Sequence, residues 1–283
     1  MPSERVKEPA GTLFVVATPL GNLEDLTFRA VKCLKEVHLI ACEDTRRTAG
    51  LLHHLGIQKP LISLFEHNEK ERIGEIVDRL TAGESVALVS DAGTPTISDP
   101  GFPLVRAVLE RGITVSPIPG PSALIAALSV SGLPTDAFFF AGFLPRTESA
   151  RQARLRELKD QSATLIFYES PHRVLKMLAD AAAILGDREA FLCREVTKLH
   201  EELRRDTILG IALSLESRHE ILGEIVLVVA GAVASEKSLS MDEALARFDE
   251  EVAMGATPRQ AAKEASERTG LAAREVYAAA AKR

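Results

Sequence analysis

Between residues 12 and 132 five short apolar runs alternate with five helical stretches, and no other pattern in the chain restricts its fold so strongly. The runs lie at 13–17, 39–42, 61–65, 86–89 and 113–118. Each is too short for a stable helix and nearly free of polar residues, which reads as a strand buried on both faces. Between them apolar residues recur at helical spacing, as Leu26, Ala30, Leu34 and Val37 do, and Gly56 and Gly112 close two of the helices. Alternation of this kind predicts a parallel α/β sheet, because parallel neighbours need the crossover that a helix supplies.

Beyond Leu133 and Pro134 the rhythm loosens. A β-type run at 137–143 precedes an arginine-rich helix expected over 148–159. Strands are expected at 164–168, 190–195 and 225–229, and a mostly helical segment over 201–216. The predicted organisation is a leader over 1–11, an N-terminal α/β domain over 12–130, a second α/β domain over 131–232 and a helical module over 238–283, with 235–240 as linker. In that module Thr257 can cap a helix that has Pro258 in its first turn, and Gly270 divides it from the last helix. Three short helices with tight turns resemble a helix-turn-helix; a packing or dimerising appendage would use the same pattern.

Of the 283 residues 46% are hydrophobic, enough for a real core, and the net charge of −6 gives no global basic footprint. Contact with nucleic acid would therefore be local. No apolar run approaches the roughly 20 residues that span a bilayer, and the first residues lack a signal-peptide core. Three widely spaced cysteines, Cys33, Cys42 and Cys193, fit reduced thiols in a cytoplasmic protein, and no metal pattern is present.

Four turns fall at expected strand ends, 18–22, 90–95, 119–123 and 168–173, each with glycine or proline beside small polar residues. In a parallel sheet such ends share one rim, where ligands bind. None carries a dinucleotide fingerprint, a Walker loop or a nucleophile elbow. A second group, Glu43, Asp44, Arg46, Arg47, His67 and Asn68, mixes acids, bases and cations that could bind phosphate and remove a proton. It could equally be a capped, ion-paired helix start, and Asn68 with Glu71 forms a possible capping box. Arg146, Arg151, Arg154 and Arg156 make a basic run that is either a solvated helix face or a track for an RNA backbone.

The motifs ATPLGNL at 17–23, EDTR at 43–46, SDAGTP at 90–95, PGPSA at 119–123 and FYESPHR at 167–173 resemble, in this order, the tetrapyrrole-methylase-like superfamily. Within it they look like the ribosomal RNA small-subunit methyltransferase I branch. The resemblance implies two α/β domains with S-adenosylmethionine in the cleft between them. It implies homodimers and methylation of a cytidine ribose 2′-hydroxyl in the decoding region of small-subunit ribosomal RNA, while the cysteines and the lack of a long apolar run predict a cytoplasmic protein with no membrane contact. Carried over residue by residue, it places the cofactor against Leu20, Asp91, Thr94, Ser122, Ala123, Tyr168, Glu169, Gly223 and Glu224. The sequence departs from the branch at Leu222, where a basic residue is expected. For catalysis the expectation is Asp44 or Glu43 as base, with Arg46 and Arg47 orienting phosphate, or no dedicated base at all. Arg47, His67, Asn68, Arg146 and Arg173 are the expected RNA contacts, with Lys198 in a further patch. A tetrapyrrole methyltransferase of the same fold and a nucleic-acid-binding regulator are the alternatives.

Overall fold

The computed structural model describes residues 10–65, 67–233 and 241–282. Most of the expected leader and the whole expected linker at 235–240 lie outside the described residues. The chain separates into two compact units. One is built from the described residues up to Leu158 together with Ala163–Ala230, the other from Lys159–Ser162 and the described residues from Gly231 on.

The first unit holds two five-stranded sheets. The first sheet contains β1 (Thr12–Val16), β2 (Leu39–Cys42), β3 (Leu61–Ser63), β4 (Val86–Val89) and β5 (Thr114–Ile118), in the order β3-β2-β4-β1-β5, all parallel. Its helices are α1 (Phe28–Glu36), α2 (Thr45–His54), α3 (Glu69–Thr81) and α4 (Phe102–Glu110). Strand β4 is buried throughout, so both faces of the sheet must be covered. Val86 and Leu88 pack with Ile76 and Leu80 of α3 and Leu104 of α4, while Ala87 and Val89 pack with Leu34 of α1 and Leu52 of α2. Pro117 cannot donate to a ladder and accordingly sits in β5, an edge strand.

After α5 (Ala123–Val130) the second sheet takes β6 (Phe138–Phe143), β7 (Thr164–Glu169), β8 (Glu189–Arg194), β9 (Glu202–Thr207) and β10 (Ile225–Val229) in the order β6-β7-β10-β8-β9. Only β6 and β7 run parallel; β10 lies antiparallel between β7 and β8. Helices α6 (Glu148–Leu158), α7 (Val174–Leu185) and α8 (Ile208–Glu216) cover one face. Helix α5 covers the other, with Leu124, Ala127 and Leu128 against Ile166, Phe191 and Val228. The segment expected to be helical over 201–216 divides into strand β9 and helix α8. Strand β9 alternates half-buried and exposed residues as an edge strand does.

In the second unit α9 (Met241–Ala253), α10 (Pro258–Thr269) and α11 (Ala273–Ala280) meet around Ala244, Ala265 and Val276. Thr257 and Gln260 form a capping box at the start of α10, and Gly270 ends it in the left-handed conformation. All three cysteines of the chain are buried and unpaired, and burial pushes the Cys33 thiol to about 11 and Cys193 to about 12. Among the described residues no helix is long and apolar enough to cross a membrane.

Candidate active site

Strand order brings the site together. Strand β1 lies between β4 and β5, so the turns after these three strands leave the sheet side by side. They are bonded to one another. Thr18 and Gly93 exchange backbone hydrogen bonds of 2.8 and 3.0 Å, and the Thr18 hydroxyl donates to the Ser90 carbonyl at 3.0 Å. The Thr94 hydroxyl donates to the Pro121 carbonyl at 3.0 Å. Gly93 has φ 82°, and a Cβ there would lie 3.2 Å from the Leu20 side chain, so this crossing of turns demands glycine.

The second sheet meets these turns through β7. Antiparallel register pairs Ile225 with Glu169, which delivers Gly223 and Glu224, just before β10, to the end of β7. Gly223, at φ 92°, leaves room for Glu195, whose Oε1 accepts the Glu224 amide at 2.9 Å. The Tyr168 hydroxyl accepts the Leu124 amide at 3.1 Å. It thereby serves the start of α5, where Ser122 is the N-cap residue and makes no side-chain cap bond. Phe140 and Phe143 stand edge-on to the Tyr168 ring, and burial pushes the phenol up to about 12.

These elements enclose a cavity of about 360 Å³. All nine residues assigned to the cofactor from sequence line it: Leu20, Asp91, Thr94, Ser122, Ala123, Tyr168, Glu169, Gly223 and Glu224. Glu43 and Arg47 line it too. Its walls are apolar at Leu20, Ile97, Ala123, Phe143 and Val226, and five carboxylates line it at Glu43, Asp91, Asp99, Glu169 and Glu224. Burial raises the Glu43 carboxyl, with Asp91 adding to the rise. Burial is also the main cause at Asp99, whose carboxyl rises to about 6 although the Ser90 hydroxyl opposes it. Glu169 is almost fully buried; burial raises its carboxyl, and Oε2 accepts no hydrogen bond, with Arg173 at 3.3 Å.

Several residues expected at the site stand elsewhere. Asp44 and Arg46 do not line the cavity. Asp44 is the N-cap of α2, accepting the Arg46 amide at 2.8 Å, and its carboxylate pairs with the Arg46 guanidinium at 2.9 and 3.2 Å. Those bonds hold the carboxyl down at about 2, so Asp44 is a poor proton acceptor and the helix-start reading describes it better. Asn68 makes no capping box: its side chain accepts the Phe65 amide and donates to Ser63, folding the β3–α3 turn on itself. Arg173 is spent on the carbonyls of Leu144 and Pro145 and on Glu169, and is not a free RNA contact. Arg151 is 5% exposed and pairs with Asp180 at 2.6 Å, so the arginines of α6 are no continuous basic track. His67 and Arg146 are exposed. Lys198 bridges Glu195 and Glu224 at 2.9 and 3.1 Å, which brings a cation to the Gly223-Glu224 position from a distant loop where Leu222 supplies none.

The sequence reading missed Asp99, Ile97, Phe143 and Val226. Ile97 and Asp99 lie between the 90–95 turn and α4, just before Pro100 and Gly101, in a segment without motif or periodicity. The backbone is the missing signal: Thr96 and Ser98 have φ of 73° and 65°, and each such non-glycine residue costs about 1–3 kcal/mol. The loop is held by buried Glu69, whose Oε1 accepts the Gly101 amide at 3.0 Å.

Comparison with known proteins adds relatives to this geometry. The sequence profile described as Tetrapyrrole (Corrin/Porphyrin) Methylases matches residues 12–212. A protein of Pseudomonas aeruginosa named Ribosomal RNA small subunit methyltransferase I is 47% identical over 279 residues, covering 95% of this chain and 96% of that one. A protein of Thermotoga maritima with the same name is 50% identical over 221 residues, covering 78% of this chain and 99% of that one. Among solved structures, diphthine synthase superposes with a TM-score of 0.59 at 15% identity, over 78% of this chain and 90% of that one. The uroporphyrin-III C-methyltransferase of Thermus thermophilus, solved with S-adenosyl homocysteine, superposes with a TM-score of 0.54 at 20% identity, over 78% and 97%.

Proposed function

Because this chain belongs to the tetrapyrrole methylase family, and within it to the ribosomal RNA small subunit methyltransferase I group that matches it over nearly its whole length, we propose that it methylates the ribose 2′-hydroxyl of a cytidine in the decoding region of small-subunit ribosomal RNA, using S-adenosylmethionine. The observation that carries this reading is the convergence of residues from both sheets on one cavity that holds all nine cofactor positions.

The cavity suits the cofactor chemically. Its apolar walls fit an adenosyl group, and its carboxylates Asp91 and Glu224 fit a ligand with a sulfonium and an ammonium. When bound, S-adenosylmethionine supplies a methyl group already activated by its sulfonium. The protein's task is then placement. Asp91 holds the mouth in shape, Leu20 and Phe143 give it apolar walls, and Tyr168 fixes the start of α5 against the second sheet. Arg46, Arg47, His67 and Arg146 stand at the surface for RNA phosphates, with Arg46 and Arg47 reaching out from α2. The net charge of −6 disfavours tight binding to naked RNA, so the assembled subunit is the better substrate. The protein works in the cytoplasm as a homodimer.

The test is incubation of the protein with labelled S-adenosylmethionine and small subunits lacking the modification, followed by mass mapping of the RNA. Label on a cytidine ribose is expected. Label on uroporphyrinogen offered in parallel, with RNA unlabelled, would overturn the reading in favour of a tetrapyrrole substrate.

A further inference from the structure

We propose that Asp99 is the catalytic base, the group that accepts the proton of the acceptor hydroxyl during methyl transfer. The inference rests on the function proposed above and deepens it.

Three observations converge on this residue. First, Asp99 lines the cavity together with all nine cofactor positions, whereas Asp44 does not line it and is bound to Arg46. Second, Asp99 is delivered by a backbone that no ordinary turn requires. Thr96, Ser98 and Gly101 all have positive φ within six residues, and the buried Glu69 carboxylate anchors the end of the loop. Strain kept in place by a buried anchor is a recurrent mark of functional positioning. Third, three of the other carboxylates of the cavity are committed. Asp91 accepts the Asp44 amide at 3.1 Å and faces Arg47 at 3.4 Å; Glu224 is paired with Lys198, and Glu169 with Arg173. Of the two that make no ion pair, Glu43 and Asp99, only Asp99 is carried by the strained loop.

The surroundings favour proton uptake. The Ser90 hydroxyl bonds the Asp99 carboxyl, and the ionisable groups that share its cavity are Asp91 at the end of β4, Glu43 after β2, Arg47 of α2, Tyr168 and Glu169 from β7, and Glu224 before β10. Burial and the negative charge of Glu43, Asp91 and Glu224 bring its carboxyl to about 6, the range in which a group is ionised at neutral pH yet still takes a proton readily. In the step, the hydroxyl proton passes to Asp99 while an oxygen lone pair forms the bond to the methyl carbon. The electron pair of the broken carbon–sulfur bond stays on sulfur, which loses its positive charge. Asp99 then returns its proton to water.

The experiment compares full-length wild type with Asp99→Asn and Asp99→Glu. It measures single-turnover methyl transfer to small subunits from pH 5 to 9, S-adenosylmethionine affinity by calorimetry, and the Asp99 carboxyl titration by NMR in the unliganded protein. We expect Asp99→Asn to lower the rate by about 10²–10⁴-fold, the span of general-base effects, with cofactor affinity nearly unchanged. The wild-type rate should rise through pH 6, and the variant should lose that limb. Asp99→Glu should recover part of the rate and the limb. A variant rate near that of wild type, an unchanged pH limb, or an Asp99 titration near the ordinary value of about 4 would each overturn the proposal. Failure of the underlying reading would show in the wild type itself, as methyl on a base or on no RNA at all, and would take this proposal with it.

Discussion

The backbone amide of Asp44 donates a 3.1 Å hydrogen bond to Oδ1 of Asp91, joining the ends of β2 and β4 at the mouth of the cavity. The other carboxylate oxygen of Asp91 faces Arg47 at 3.4 Å. One side chain therefore fixes the start of α2, holds a cation at the rim and adds negative charge to the cavity. Asp91→Asn keeps an acceptor for the amide but loses the charge; Asp91→Ala loses both. We expect cofactor affinity to fall in the order wild type, Asn, Ala, with Ala weaker by about tenfold or more, the worth of a charge-assisted hydrogen bond. Calorimetry on the three proteins measures this, and equal affinities would refute it.

Asp44 tests whether a helix cap was mistaken for a base. Asparagine caps helices as well as aspartate does. Asp44→Asn should keep both turnover and melting temperature close to wild type, whereas Asp44→Ala should lower the melting temperature. A large loss of turnover in Asp44→Asn, with the fold intact by circular dichroism, would return Asp44 to the chemistry.

Arg151 is an internal strut between α6 and α7. Its guanidinium lies 2.6 Å from Asp180, which also accepts a 2.8 Å bond from Gln152. Arg151→Ala would leave a buried carboxylate without its charge partner, at a cost of about 3 kcal/mol. Denaturant titration should show that loss, while RNA methylation at a temperature where the variant stays folded should match wild type. The reverse result, full stability and lost methylation, would restore a role in RNA binding.

Stability should respond to pH with two opposite signs. Asp99 has its folded value raised from 3.8 to about 6, so the native chain binds this proton more tightly than the unfolded one. Its contribution therefore falls as pH rises from about 4 to 6 and is lost above that. Glu202, held at about 2 by Arg218 and Arg194, behaves oppositely: its contribution is present above about 4.5 and disappears as pH falls toward 2. Asp99→Asn should accordingly stabilise the protein at pH 8, by about 1 kcal/mol after allowing for solvent around the carboxyl, and not at pH 4. Denaturation midpoints at the two pH values decide it; a destabilised variant at pH 8 would mean that the carboxylate supports the fold.

What could be read from the residues was what local periodicity and ordered motifs encode. The strands of the first sheet are apolar throughout because both faces are covered, and the motif turns sit at their ends for the same topological reason. What stayed hidden depended on packing. Strand β9 half-buries the charged Glu202, Arg204 and Asp206 and exposes Leu203 and Arg205, so it reads as helix until β8 is seen beside it. Arginine spacing on α6 cannot reveal that Arg151 turns inward to an aspartate 29 residues away. Helix α5 follows the last strand of the first sheet in sequence but lies on the second, because its apolar face fits Ile166 and Val228. Asp99 was hidden because its proline and glycine neighbours announce a turn and say nothing of where the turn points.

The strand order of the second sheet sets a timetable for the newly made chain. Its middle strand, β10, is the last of the ten to be synthesised. Until residue 225 has emerged, β6 and β7 form one pair, β8 and β9 another, and no strand joins them. The same segment brings Gly223, Glu224 and Val226 to the cavity wall. A nascent chain can complete its first sheet early, but capture of a methyl donor belongs to the finished protein, and a chain truncated before β10 would bring no half-built enzyme to the ribosome.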